Sequence, residues 1–94
     1  YIPNAFTPNG DGSNDFFLIY AGSDVVEVEN FEIYSRWGEK VFQMQEFPPN
    51  DPQYGWNGVF RGQPMNIGHF TYFAQIRFVD GEVRLFKGGV NLVR

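Results

Sequence analysis

Asp80-Gly81 stands between two stretches of alternating hydropathy, one running from Phe70 to Val79 and the other from Glu82 to Phe86. An Asp-Gly pair in this setting is the strongest short-range hairpin signal, because a type I′ turn needs positive φ at both central residues and these two tolerate it best. With a two-residue loop, Phe78 faces Val83 and Ile76 faces Leu85 on one side of the ribbon. Arg77 then meets Arg84, and Gln75 meets Phe86, on the other. One side is apolar and the other polar, as in an antiparallel sheet with one solvated face.

The rest of the chain is built in the same style. Phe16 to Tyr20 reads as a short buried strand. Phe31, Ile33 and Val41 alternate across a second hairpin whose turn lies at Arg36-Trp37-Gly38. Val83 and Leu85 are odd-numbered while Val90 and Leu92 are even, so a β-bulge is expected at Gly88-Gly89 to return the last pair to the core. No segment sustains a 3.6-residue period, and Asp24 to Asn30 offers at most one turn. Between Met44 and His69 the chain is rich in Pro and Gly, and Pro48-Pro49-Asn50-Asp51-Pro52 cannot form a central strand. Trp56 in this connection is expected to plug one end of the core, with its indole N–H satisfied at the edge. The 11 Phe, 5 Tyr and 2 Trp supply large flat side chains for a core built by 94 residues. The sequence predicts one domain over 1–94, an all-β immunoglobulin-like antiparallel β-sandwich of about seven short strands.

Charge and composition exclude several functions. A formal net charge of −4 argues against nucleic acid as a partner, since phosphate-backbone affinity comes from Lys and Arg. There is no Cys and only one His, so neither a disulfide framework nor a thiolate or His-rich metal site can form. No run of about 18 apolar residues occurs, so no helical transmembrane segment is expected. The opening Tyr1-Ile2-Pro3 reads as a module cut from a longer protein.

The most polar loop runs from Thr7 to Asp15, with oxygen-bearing side chains at alternate positions: Asn9, Asp11, Ser13 and Asp15. A loop coiled around calcium supplies oxygens in this way, and Gly10 and Gly12 would let the backbone coil tightly. A structural calcium ion is therefore the one candidate cofactor, and none is required. The alternative is an Asx-turn loop closed by side-chain-to-backbone hydrogen bonds. Parts for catalysis are not visible. His69 is the only imidazole and reads as a surface residue; Ser13, Ser23 and Ser35 lie in no nucleophile-elbow context. Asp24, Glu27 and Glu29 read as a solvated acidic face, so the chain is read as a non-enzyme. Phe73, Phe86 and Tyr34 are placed on the outer side, where they would make a sugar-stacking platform or a docking strip. The alternative for Phe73 is that it covers the backbone of Gly88. Arg77 opposite Arg84 should repel, with Glu82 offsetting it.

Two long motifs, Pro3 to Asp15 (PNAFTPNGDGSND) and Phe31 to Phe42 (FEIYSRWGEKVF), resemble the gliding motility-associated C-terminal domain. This is the type B sorting domain of the type IX secretion system of Bacteroidota. Trp56-Asn57-Gly58, the stretch Gly68 to Tyr72, the Asp80-Gly81 hairpin and the closing Gly89 to Arg94 continue the likeness over essentially the whole chain. Departures occur at Asn57 (usually Asp), Ser35 (often Asn), Phe70 (usually Tyr) and Asn66 (Pro expected, with Pro64 earlier). The resemblance implies a folded C-terminal tag that directs N-terminal passenger domains from the periplasm through the outer-membrane translocon to the cell surface or medium. It also implies a companion outer-membrane β-barrel protein of the gliding-motility type. The surfaces expected to be read are the turn Arg36, Trp37 and Gly38 and the final strand with Val90, Leu92 and Arg94, docked by β-augmentation. The competing readings are a carbohydrate-binding or adhesive β-sandwich module and an inert Ig-like spacer.

Overall fold

The computed structural model describes residues 2–8, 10 and 15–93. Alternation in Phe31, Ile33 and Ser35 puts three successive inward side chains on a strand that becomes the centre of a sheet. This strand, β2 (Val25–Ser35), is flanked by β3 (Lys40–Phe47) and β6 (Gly68–Phe78). Outside β6 lies β7 (Val83–Leu92), and beyond it the two-residue β1 (Ala5–Phe6), giving the order β1-β7-β6-β2-β3. β4 (Val59–Phe60) and β5 (Gln63–Pro64) form a separate small hairpin, after a 3₁₀ turn at Pro52–Tyr54. The chain is all-β and sandwich-like, as expected, with seven strands among the described residues. Three features differ from the sequence reading.

The first is the β1–β7 pairing, which is parallel: Ala5 lies beside Asn91 and Phe6 beside Leu92. The sheet is thus mixed, not purely antiparallel. The second is the hairpin loop. Phe78 N–H donates to Glu82 C=O, and Gly81 N–H donates to Phe78 C=O, closing a three-residue loop. Gly81 alone takes the left-handed conformation, at φ 85°. This is the type I turn plus left-handed residue of a bulged hairpin, not a type I′ turn.

One extra loop residue slips the register by one and exchanges faces along β7. Arg77 now lies beside Val83, Gln75 beside Leu85 and Ala74 beside Phe86. Val83 and Leu85 therefore face solvent, while Arg84, Phe86, Val90 and Leu92 lie on the inner side. The pairing runs without a shift from Val83 to Leu92, so no bulge is needed at Gly88-Gly89. The third difference follows: the irregularities lie along β2, at Val25/Glu27 and Val28/Asn30 against β6 and at Ile33/Tyr34 against β3. The second of these reconciles buried Val28 with buried Phe31, and the segment from Val25 to Asn30 is strand, not helical turn.

The inner face of the sheet is covered by the extended stretch through Phe17, Leu18 and Ile19, all buried. It forms no named strand, only a bridge from Phe17 to Trp56. Trp56 closes the core as expected: its ring is buried against Phe6 and Phe70, and Nε1–H donates to Val59 C=O at 3.0 Å. A core of stacked and edge-to-face rings explains the aromatic composition, since each such ring buries a large apolar area.

Candidate functional site

Both major hairpins use the same loop. At Arg36-Trp37-Gly38, Ser35 N–H donates to Glu39 C=O at 2.8 Å and Gly38 N–H donates to Ser35 C=O at 2.9 Å. Gly38 is left-handed, at φ 86°. The Ser35 hydroxyl accepts from the N–H groups of Trp37 (3.2 Å) and Glu39 (3.3 Å), which fixes the loop from beneath. Trp37 occupies the outermost position, equivalent to Asp80 in the other hairpin, and its side chain is 83% exposed. The Arg36 guanidinium lies 5.0 Å from the Trp37 ring centre, a cation–π contact that restrains an otherwise free indole.

Strand pairing brings other residues to this end of the sheet. Ser35 is paired with Phe70, and Gly68 with Leu92, so the β2–β3 turn, the start of β6 and the close of β7 are neighbours. A recess of about 150 Å³ separates Trp37 from Ile67 and His69, and a shallower one of about 450 Å³ joins Ile67 and His69 to Val93. Ile67 (66% exposed) and Val93 (44%) add apolar area beside Trp37. The His69 ring pairs with Asn91 Oδ1 at 3.0 Å. Ile67 and Val93 were not singled out by sequence reasoning, and His69 was read only as a surface residue. Only their distance from each end of a hairpin, counted from the correct loop, would have placed them opposite Trp37.

The expected recognition residues divide accordingly. Arg36, Trp37 and Gly38 are exposed. Val90 and Leu92 are buried core residues, so their side chains hold the strand and do not face outward. Arg94 lies outside the described residues. The outer edge of the closing strand is also taken, by β1, at Asn91 and Leu92. Of the calcium candidates, Asn9, Asp11 and Ser13 lie outside the described residues. Asp15 accepts from Gly10 N–H at 3.0 Å, the kind of side-chain-to-backbone closure that the alternative reading of this loop requires.

The proposed stacking platform does not assemble. Phe73 packs edge-on against Tyr34 on the outer face, with ring centres 5.7 Å apart, whereas Phe86 is on the inner side. Nor does Phe73 cover Gly88: it pairs with Lys87, and Tyr72 covers Gly88. Arg77 and Arg84 also lie on opposite faces. Arg77 is bound by Glu27 (2.5 Å) and Glu29 (3.2 Å), which hold its guanidinium pKa above the usual range. Arg84 is held by Glu82 and lies over the Phe78 ring. On the same outer face as Arg77, the Tyr34 hydroxyl donates to Glu32 at 2.8 Å. That bond lowers the Glu32 pKa, aided by Asn30 and Lys40, and raises that of Tyr34.

The geometry is that of a rigid scaffold with an exposed aromatic corner. A family model, the CHU_C type IX secretion signal domain, matches residues 1–92. No curated protein matches the chain.

Proposed function

Because the chain belongs to the CHU_C type IX secretion signal domain family, and so is a C-terminal sorting signal for a passenger exported to the cell surface or extracellular space, we propose that the signal is read as a folded surface centred on Trp37. The observation that carries this reading is the exposure of Trp37 on a loop fixed by Ser35 and Gly38. An indole held outward gains nothing for the fold, yet Trp and Arg are the residues that most often anchor interfaces. A short linear signal would need no such support. The surrounding Ile67 and Val93 would exclude water from the contact, and His69 with Asn91 would supply its polar rim.

In this reading the folded domain crosses the periplasm with its passenger and is received at the outer membrane by a companion β-barrel protein. It performs no catalysis; recognition is its entire role. Fusing residues 1–94 to a fluorescent reporter in a type IX-competent host, with the companion barrel present or deleted, tests this. Export that requires both the barrel and Trp37 supports the reading. Export indifferent to Trp37→Ala and Arg36→Ala rejects this surface, and a wild-type fusion retained in the cell rejects the 94 residues as a sufficient signal.

A further inference from the structure

Among the described residues, the outer edge of β7 is covered over only part of its length. β1 pairs with it at Asn91 and Leu92, where Asn91 N–H donates to Asn4 C=O (2.9 Å) and Val93 N–H to Phe6 C=O (3.0 Å). The β6–β7 register is continuous from Val83 to Leu92. Backbone groups therefore alternate without interruption, and the odd-numbered residues Val83, Leu85 and Lys87 point their N–H and C=O away from β6, as Asn91 does. No strand among the described residues pairs with that stretch. An open edge of this kind is a template for another strand.

We propose that Val83–Lys87 is a docking edge for an extended segment of the export machinery, apolar on the side facing the core and acidic on the other, which joins the sheet as a further strand. The inference rests on the sorting role and adds a second contact to the Trp37 corner. Three observations determine the occupant's chemistry. On the inner side, Phe86 of this edge borders a groove of about 310 Å³ whose lining also includes Ile2, Tyr20, Asp24, Tyr72 and Phe78. A strand added beside β7 would direct alternate side chains over this groove, and apolar ones fit it. On the outer side, Leu85 is 61% exposed with Val83 beside it, and Lys87 is the next residue on that face. Its ammonium offers an acidic side chain a partner, while Arg84 on the inner side is already engaged by Glu82.

The same charges argue against a second copy of this chain as the occupant. Two β7 edges brought together would place two Lys87 side chains in one small area, and edge lysines are a device against self-pairing. Two chains each at −4 also repel at longer range. An acidic strand avoids the first obstacle, because a carboxylate beside Lys87 attracts at contact range where a second lysine would repel.

The test uses a passenger protein carrying this domain, in a type IX-competent host. Leu85→Pro removes an N–H that points away from β6 and takes no hydrogen bond from the β6–β7 ladder. Its expected effect is a drop in export of about tenfold, the consequence of losing one edge hydrogen bond and the approach beside it. Lys87→Glu lowers export likewise, whereas Lys87→Gln lowers it less. A photo-crosslinking side chain in place of Leu85 forms an adduct with an outer-membrane protein. Wild-type export with Lys87→Glu, or an adduct with the mass of two passenger copies, overturns the proposal. Lys87→Glu remains decisive even where Leu85→Pro misfolds. Loss of export with Trp37→Ala but not with Lys87→Glu rejects the edge alone, and a wild-type passenger that stays inside the cell rejects the sorting reading beneath it.

Discussion

Phe17 and Trp56 exchange both of their backbone hydrogen bonds, Phe17 N–H to Trp56 C=O at 2.8 Å and Trp56 N–H to Phe17 C=O at 2.9 Å. This bridge ties two irregular segments into one layer and sets the Trp56 indole against Phe6 and Phe70, with ring centres 5.6 and 5.2 Å away. Asn50 ties the same stretch a second time, its N–H donating to Ile19 C=O at 2.9 Å and its side-chain amide exchanging hydrogen bonds with the backbone of Ala21.

Trp56→Ala is expected to lower stability by about 3–5 kcal/mol, the range for removing a buried large aromatic. Trp56→Phe should cost about 1–3 kcal/mol, because the Val59 carbonyl loses its indole donor. Urea denaturation measures both. A loss for the alanine variant no greater than for the phenylalanine variant would show that the layer is held elsewhere.

The shared loop geometry makes Gly38 and Gly81 equivalent. Each sits at positive φ, so Gly38→Ala and Gly81→Ala should each cost about 1–2 kcal/mol. Gly68 has open space around its Cα and an ordinary φ; Gly68→Ala should be neutral or slightly stabilising. Thermal melts of the three variants side by side separate these cases.

His69 lies over Gly89 so closely that a Cβ there would come within 2.3 Å of His69 Cε1. Gly89→Ala must therefore push the imidazole away from Asn91 Oδ1. The substitution should lower the melting temperature, and His69→Ala in the same chain should recover part of the loss. A double-mutant cycle measures that coupling; strict additivity would mean that the ring is not what the methyl group meets.

Glu32 and Tyr34 form a pH-sensitive pair. The hydroxyl hydrogen bond lowers the Glu32 pKa. Its stabilising contribution is consequently complete above the carboxylate's unfolded value and disappears as pH falls through the folded one. Tyr34 is raised by the same bond, so its contribution is complete below the phenol's unfolded value and disappears as pH rises through the folded one. Tyr34→Phe should move the Glu32 pKa up toward its ordinary range, visible in a carboxyl-detected NMR titration. An unchanged Glu32 titration would assign its shift to Asn30 and Lys40 instead.

Trp37→Ala should leave stability within about 0.5 kcal/mol, as is usual for surface substitutions, while export of a fused reporter falls. Measured together, the two readouts separate a recognition residue from a structural one. A destabilised variant with unchanged export per folded molecule would reverse the assignment.

Residue type and alternation alone were enough to establish an all-β chain, a hairpin through Asp80-Gly81, another through Arg36-Trp37-Gly38, and Trp56 as the plug of an aromatic core. These are local properties: a period of two, a glycine at a turn, a ring too large to leave exposed. The two motifs from Pro3 to Asp15 and Phe31 to Phe42 carried the family likeness as well. What the tertiary structure decided was register and neighbourhood. Phe70 opposite Val90 and Gly68 opposite Leu92 bury the closing strand without a bulge, and that long-range packing outweighed the local preference for Val83 and Leu85 at the hairpin tip. A third loop residue accommodates the difference, because Gly81 supplies the one left-handed position it needs. The parallel docking of Ala5–Phe6 on β7 joins residues more than eighty positions apart, which no alternation encodes. It closes the edge at Asn91, and among the described residues none pairs with that edge at Val83–Lys87. The same register places Ile67 and Val93 beside Trp37, so the exposed corner exists only once the sheet is assembled.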